Sequence, residues 1–146
     1  MDKIDLEILS LLQKNARMPL KALAAEVHLS SPAVSSRMER LEAEGIIEGY
    51  TVNLDHEKLG YPIIAFISLD LDPVDKPKFY PYIEKCKNVL ECTCVTGQYA
   101  ILLKVAFEST MALDSFIGEL QQFGKTNTQI AFSTPVKPRS IGLKSN

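Results

Sequence analysis

The sequence has no uncharged apolar run of the roughly 18 residues that a bilayer-spanning helix needs. Its opening residues, Met1-Asp2-Lys3-Ile4-Asp5, are charged where a secretory leader would turn apolar, so neither a membrane span nor export is expected and a cytoplasmic location follows. Cysteine is scarce. Cys86, Cys92 and Cys94 form an odd set without metal-ligand spacing, which argues against a disulfide framework and a zinc site. They are expected to be small buried hydrophobes, with Cys92 and Cys94 pointing the same way from one strand. Histidine is limited to His28 and His56, and His56 falls in a polar connector where solvation is its ordinary state. Gly97 belongs to no glycine-rich phosphate loop, and no Ser–His or Cys–His spacing suggests a nucleophilic triad. Asp70 and Asp72 share one strand face, but at a strand end such a pair is a solvated edge. No enzymatic chemistry, cofactor or metal is therefore expected.

What is present is an uneven charge distribution. The net charge of −2 disfavours a nucleic-acid role, because Lys and Arg supply most non-specific affinity for phosphate. Residues 1–62 hold seven bases against ten acids, yet residues 14–40 hold five bases against two acids. A local basic patch sits inside an acidic domain.

Ile4, Leu6, Ile8, Leu9, Leu11 and Leu12 fall at helical spacing and cover more than half the wheel, which predicts a first helix with two apolar neighbours, ended by Asn15 and the following Pro19. Leu20, Leu23, Ala24 and Val27 match positions i, i+3, i+4 and i+7, predicting a short second helix with Pro19 at its first position. Ser31 reads as the N-cap of a third helix, Pro32 as its first residue, and Val34, Met38 and Leu41 as its buried face, closed by Gly45. Leu29 plugs the angle between the second and third helices. This is the pattern of a helix-turn-helix. The third helix would turn Ala33, Ser36 and Arg40 outward, flanked by Ser35 and Arg37. Small residues near its start allow close entry into a major groove, and Ser and Arg hydrogen-bond base edges. A three-helix bundle with a solvated outer face fits the same periodicity.

Ile46 to Val52 reads as a strand, and residues 53–62 as a linker. Beyond it, Ile67, Leu69 and Leu71 alternate with polar residues as a half-buried strand. Phe79, Tyr82, Ile83 and Cys86 then have helical spacing, in a helix that starts late enough for Pro81 to lie in its first turn. Val89 to Thr96 and Tyr99 to Phe107 read as two strands joined tightly at Gly97-Gln98. Leu113, Phe116, Ile117 and Leu120 mark another helix, and Gln129 to Val136 a last strand with Ile130, Phe132 and Thr134 on one face. The order βαββαβ is that of a ferredoxin-like α+β domain, a four-stranded antiparallel sheet with two helices on one side. Apolar residues on both faces of the third strand imply that the other sheet face is covered, most simply by a second subunit. The partition is a helix-turn-helix domain over 1–52, a linker over 53–62 and a ferredoxin-like domain over 63–146.

Four strings in register across both halves carry a resemblance. They are Asp2-Lys3-Ile4-Asp5-Leu6-Glu7-Ile8-Leu9, Leu23-Ala24-Ala25-Glu26-Val27-His28-Leu29-Ser30, Val34 through Ile47, and Val95-Thr96-Gly97-Gln98-Tyr99-Ala100-Ile101-Leu102-Leu103-Lys104-Val105. With them the whole chain resembles the leucine-responsive regulatory protein/asparagine-synthesis regulator (Lrp/AsnC) family of transcription factors. The resemblance implies sequence-specific binding of double-stranded DNA, for which the wheel above makes Ser36 and Arg40 the candidates at base edges and Lys14, Arg17, Lys21 and Arg37 the candidates at phosphates, with Ser31, Ala33 and Ser35 beside them. It implies a homodimer through the ferredoxin-like domains, with the linker near Tyr50 to Leu54 helping to pair subunits, and further assembly into tetramers, octamers or hexadecamers. It also implies an amino acid or similar small effector, held near Gly97, Gln98, Tyr99, Ala100 and Thr134. The alternative without DNA binding is a ferredoxin-like small-molecule-binding module carrying a helical oligomerisation domain.

Two positions depart from the family pattern. His28 stands where the family usually has glycine in the turn, a site suited to a left-handed backbone that His tolerates at a strain of about 1–2 kcal/mol. Ala100 stands where many members carry an aspartate able to meet an effector's amino group, so that charge-assisted contact is missing.

Overall fold

The computed structural model describes residues 1–143. It forms two compact units, Met1–Asn53 together with the segment from Lys137 onward, and Leu54–Val136. The sequence partition gave residues 53–62 to a linker and everything after them to the second domain, whereas here Leu54 already groups with the second unit and Lys137 returns to the first. Among the described residues no helix is long and apolar enough to cross a membrane.

The first unit is three helices, α1 (Lys3–Lys14), α2 (Leu20–Glu26) and α3 (Ser31–Ala43). Ile8, Leu12, Leu23, Ala24, Val27 and Val34 close its core, with Leu29 and Met38 packed against them. Two details correct the sequence reading. Ser30, not Ser31, caps α3, its hydroxyl accepting from the Ala33 N–H; Ser31 and Pro32 are the first two residues inside the helix. Pro19 is the N-cap of α2 and Leu20 its first residue. Both shifts are of one residue, because an extended cap residue and a first helical residue are equally well filled by the same small or φ-restricted side chains.

Ile46 to Val52 is not a strand. The Ile46 and Ile47 amides both turn back to the Leu41 carbonyl, at 2.9 and 3.1 Å, and the residues that follow pair with no strand among the described residues. Alternation alone makes a strand only where a neighbour completes the ladder.

In the second unit, β1 (Ile63–Leu71), α4 (Lys76–Lys85), β2 (Val89–Cys94), β3 (Ile101–Phe107), α5 (Thr110–Leu120) and β4 (Gly124–Ile130) follow the expected βαββαβ order. The sheet is antiparallel with strand order β2-β3-β1-β4. Alternate residues of the central strands, Ala65, Ile67, Leu69 and Leu71 from β1 and Ile101, Leu103 and Val105 from β3, meet Phe79 and Ile83 of α4 and Leu113, Phe116 and Leu120 of α5 in one core. Two helices thus cover one face, as expected for this fold.

Three elements differ from expectation. α4 begins at Lys76 and holds Pro81 in its interior. Phe79 is fully buried on the same face as Ile83, and that packing requires helix before Pro81, outweighing the hydrogen bond the proline cannot donate. The β2–β3 connection is a six-residue loop, 95–100, closed by the Val95 N–H on the Ala100 carbonyl at 2.9 Å, in place of a two-residue turn at Gly97-Gln98. The last strand lies at Gly124–Ile130 rather than Gln129 to Val136. Its residues are polar because β4 is an edge strand, so its sequence lacks the apolar alternation that identifies a buried one. Phe132 and Thr134 fall beyond it in exposed coil.

The cysteines correct a further expectation. Cys92 and Cys94 are exposed and Cys86 half-buried, because β2 is the opposite edge of the sheet. Cys92 and Cys94 do point the same way, paired with Leu103 and Ile101 on the helix-covered side, where the Cys94 thiol lies 3.1 Å from the Tyr80 hydroxyl.

Candidate nucleic-acid interface

The turn between α2 and α3 sets the interface. Its backbone closes a Schellman arrangement in which the Leu29 N–H bonds the Ala24 carbonyl at 3.0 Å and the His28 N–H bonds that of Ala25 at 3.3 Å. His28 takes the left-handed position, with φ of 54°, as its place in the turn leads one to expect. The same arrangement ends α3, where the Ile46 and Gly45 amides bond the Leu41 and Glu42 carbonyls, and there the left-handed residue is a glycine, Gly45 at φ 69°. Leu29 seats on the core, as expected, and turns the chain into α3.

The candidate DNA contacts fall into distinct settings. Lys14 ends α1, Arg17 lies in the α1–α2 turn and Lys21 in the first turn of α2; all three are exposed. On α3, Ser36 and Arg40 are exposed one turn apart, while Ser31, Ala33 and Ser35 are half-buried. The Ser35 hydroxyl donates to Glu39 at 3.0 Å. Lys14 and Arg17 also border a cavity of about 790 Å³ in the same unit, together with Arg139 from the C-terminal segment. Arg139 escaped the sequence reading because residues beyond 136 were given to the other domain.

Arg37 and Arg40 converge on the start of α1. Arg37 Nη1 donates to Asp2 Oδ2 at 2.7 Å and to Asp5 Oδ1 at 2.8 Å, and Arg40 Nη2 donates to Asp5 Oδ2 at 2.8 Å. The Asp2 amide also donates to Asp5 Oδ2 at 2.8 Å, and the Asp5 amide to Asp2 Oδ1 at 2.9 Å, a reciprocal capping box. Asp5 is fully buried, the only charged side chain so placed among the described residues. Burial pushes its carboxyl pKa up, but the Asp2 N–H and the Arg40 and Arg37 guanidiniums more than offset this and hold it well below the usual carboxylate range. Asp2 is lowered too, chiefly by the Asp5 N–H and then by Arg37. Sequence reading missed both acids. The available signal was the three-residue spacing of Asp2 and Asp5 before an apolar helix, which marks a cap but not the arginines that meet it.

The candidate effector residues are less organised. Gly97, at φ 115°, and Gln98 are exposed at the tip of the 95–100 loop, Tyr99 and Ala100 are half-buried at its end, and Thr134 lies in the coil after β4. Thr134 therefore does not extend a sheet face toward that loop as its expected strand position required. The second cavity, about 400 Å³ between α4 and β2, is lined by Tyr80, Cys86 and Cys92 among others and by none of these five residues.

Comparison with known proteins gives two family matches, a winged helix-turn-helix DNA-binding model over residues 1–48 and an Lrp/AsnC ligand-binding-domain model over residues 64–141. The chain is similar to the HTH-type transcriptional regulator LrpC of Bacillus subtilis, 33% identical over 133 residues, covering 91% of this chain and 92% of that protein. The solved structure of LrpC superposes with a TM-score of 0.89 at 32% identity, covering 94% of this chain and 99% of the other. A transcriptional regulator of Neisseria meningitidis in complex with L-methionine superposes with a TM-score of 0.88 at 27% identity, covering 99% of this chain and 96% of the other.

Proposed function

The chain belongs to the Lrp/AsnC family of DNA-binding transcriptional regulators, and from that premise we propose that α3 reads duplex DNA through Ser36 and Arg40 while Lys14, Arg17 and Lys21 hold phosphates. The observation that carries this reading is the pairing of a helix-turn-helix with an α3 face that leaves Ser36 and Arg40 exposed one turn apart. Ser31, Ala33 and Ser35 border that face and set how closely the helix approaches the groove. Arg37 adds less to phosphate binding than the free lysines, because Asp2 and Asp5 already share its charge. Such a regulator works in the cytoplasm.

A chain whose net charge is −2 binds phosphate weakly as a single copy. Assembly supplies the rest, since linked units bind by effective concentration. The open sheet face supports a homodimer: Phe66 is exposed there, and Ile64 and Leu102 are half-buried. Tyr50 and Val52, also exposed, are the residues with which the unpaired 46–52 segment would meet a partner. Higher assemblies such as octamers are built from that dimer. An amino-acid effector is the further element of the proposal, supported by the L-methionine complex of the Neisseria relative and by the ligand-binding-domain match. With alanine at position 100, the effector's amino group would need another partner.

The test is a gel-shift titration of the full chain on the DNA upstream of its own gene at several salt concentrations. Binding that weakens steeply with salt, with a slope reduced by about 1 for each of Lys14→Ala, Arg17→Ala and Lys21→Ala, is expected. No binding at low salt overturns the reading. A thermal-shift panel of the twenty amino acids tests the effector separately; a ligand at a hundred times its Kd should add about 2.7 kcal/mol.

A further inference from the structure

The Asp5 carboxylate does more than the capping box of α1 requires, since it also receives Arg37 and Arg40 from α3. Asp2 supplies the N-cap carboxylate, and Asp5 completes the capping box by accepting from the Asp2 amide, a bond that occupies only part of its carboxylate. A second carboxylate, fully buried in the first turn of α1, costs desolvation that an apolar side chain of similar size would avoid. Its oxygens are nonetheless fully engaged, Oδ1 by Arg37 and Oδ2 by Arg40 and the Asp2 amide.

We propose that Asp5 is a positioning residue for DNA reading: from the floor of the first unit it fixes the Arg40 guanidinium in the orientation in which the free edge of its fork meets a base. The inference rests on the DNA-binding reading above. A guanidinium carries five N–H donors in a rigid plane. Asp5 takes Arg40 Nη2 at 2.8 Å, and Glu44 lies 3.7 Å from Nη1, too far to be a firm bond. The remaining donors stay available on a side chain that is 43% exposed, and two suffice for guanine. An arginine already held in its bound orientation loses less freedom on binding than one that must be ordered there, and it presents its donors at one angle only. Arg37 completes the device. Its Nη1 bridges Asp2 and Asp5, tying the carboxylate to the helix start so that Asp5 cannot turn away. One carboxylate, itself held by the Asp2 amide and by Arg37, thus holds the Arg40 guanidinium, and two arginines that could grip any phosphate are partly neutralised. The arrangement favours discrimination over general affinity.

A library of random-sequence duplexes tests this without knowledge of the natural operator. The full-length protein, Asp5→Asn, Arg40→Ala and the double variant are each used to select duplexes, and the bound fraction is sequenced. Wild type should enrich a motif. Arg40→Ala should flatten one or two positions of it, and Asp5→Asn should flatten the same positions, reducing base discrimination there by about tenfold. The double variant should match Arg40→Ala alone. On unselected duplex, Asp5→Asn should show a steeper salt dependence than wild type, because released arginines find phosphates. A folded Asp5→Asn that enriches the wild-type motif with undiminished preference overturns the proposal and leaves Asp5 a structural tie between α1 and α3. Should Asp5→Asn not fold, Asp5→Glu keeps the charge but displaces it by one methylene, and the same flattening is required of it. Wild type enriching no motif would instead defeat the reading of the chain as a sequence-specific DNA binder.

Discussion

Asp5 and Arg40 join across the first unit at 2.8 Å with one partner fully buried and the other 43% exposed. The pair is neither a surface ion pair of negligible worth nor a dry one whose desolvation cancels its attraction. With the Arg37 pairs to Asp2 and Asp5, it couples the start of α1 to α3 outside their shared core.

The Asp5 carboxyl is depressed in the folded state, so its contribution to stability is present above the ordinary carboxylate value of about 3.9 and is lost as pH falls toward the folded value. Thermal unfolding followed from pH 7 downward should show the first unit weakening below about pH 4. Asp5→Asn should lower its midpoint at neutral pH and make the acid decline shallower. Superimposable profiles for the two proteins would show that the pair contributes nothing to stability.

His28 occupies a left-handed position that Gly45 fills at the equivalent point of the next helix end. His28→Gly removes the Cβ strain, and although glycine costs more backbone entropy on folding, the net gain should be about 0.5–1 kcal/mol. Denaturant unfolding of the two proteins measures it. A loss of stability would mean that the imidazole makes a contact worth more than the strain it imposes.

Gly124 opens β4 where the sheet leaves no room for a side chain. A Cβ there would collide with the backbone carbonyl of Asp70, which cannot move without breaking the β1–β4 pairing. Gly124→Ala should destabilise the second unit by about 2–3 kcal/mol, in the range of other backbone-displacing substitutions. A melting curve unchanged within error would contradict the register of β4.

Phe66 lies on the open face of the sheet, opposite Lys104 on β3. If that face joins two subunits, Phe66→Asp should convert dimers to monomers in sedimentation at micromolar concentration, since a carboxylate there would be desolvated without a partner. An unchanged sedimentation coefficient would place the dimer contact elsewhere. The first-unit melting transition serves as a control and should not move.

Most of the fold was legible because most of its elements are buried on one side. Leu23, Ala24 and Val27, or Ile67, Leu69 and Leu71, repeat at the period of the element they form, since each must present a continuous apolar stripe to a core, while Leu20, expected on the same stripe, is exposed. β4 was misplaced for the converse reason. An edge strand of Lys, Thr, Asn and Gln is held by main-chain pairing with β1, and nothing in its side chains announces that. The 46–52 segment erred in the other direction, with strand-like alternation and no strand beside it.

Local spacing and residue type were enough for the two-part organisation, the helix-turn-helix and the βαββαβ order, and resemblance added the left-handed turn at His28 and the family. Which arginines are engaged was settled by contacts between distant parts of the chain. On a helical wheel Arg37 and Arg40 are two bases at the edge of an exposed face, and no local rule links them to Asp2 and Asp5 more than thirty residues earlier. That link exists because the core that Ile8 and Val34 share brings the start of α1 within hydrogen-bonding distance of α3. Electrostatic partners are set by distance in space, and the chain's periodicity encodes burial but not neighbours.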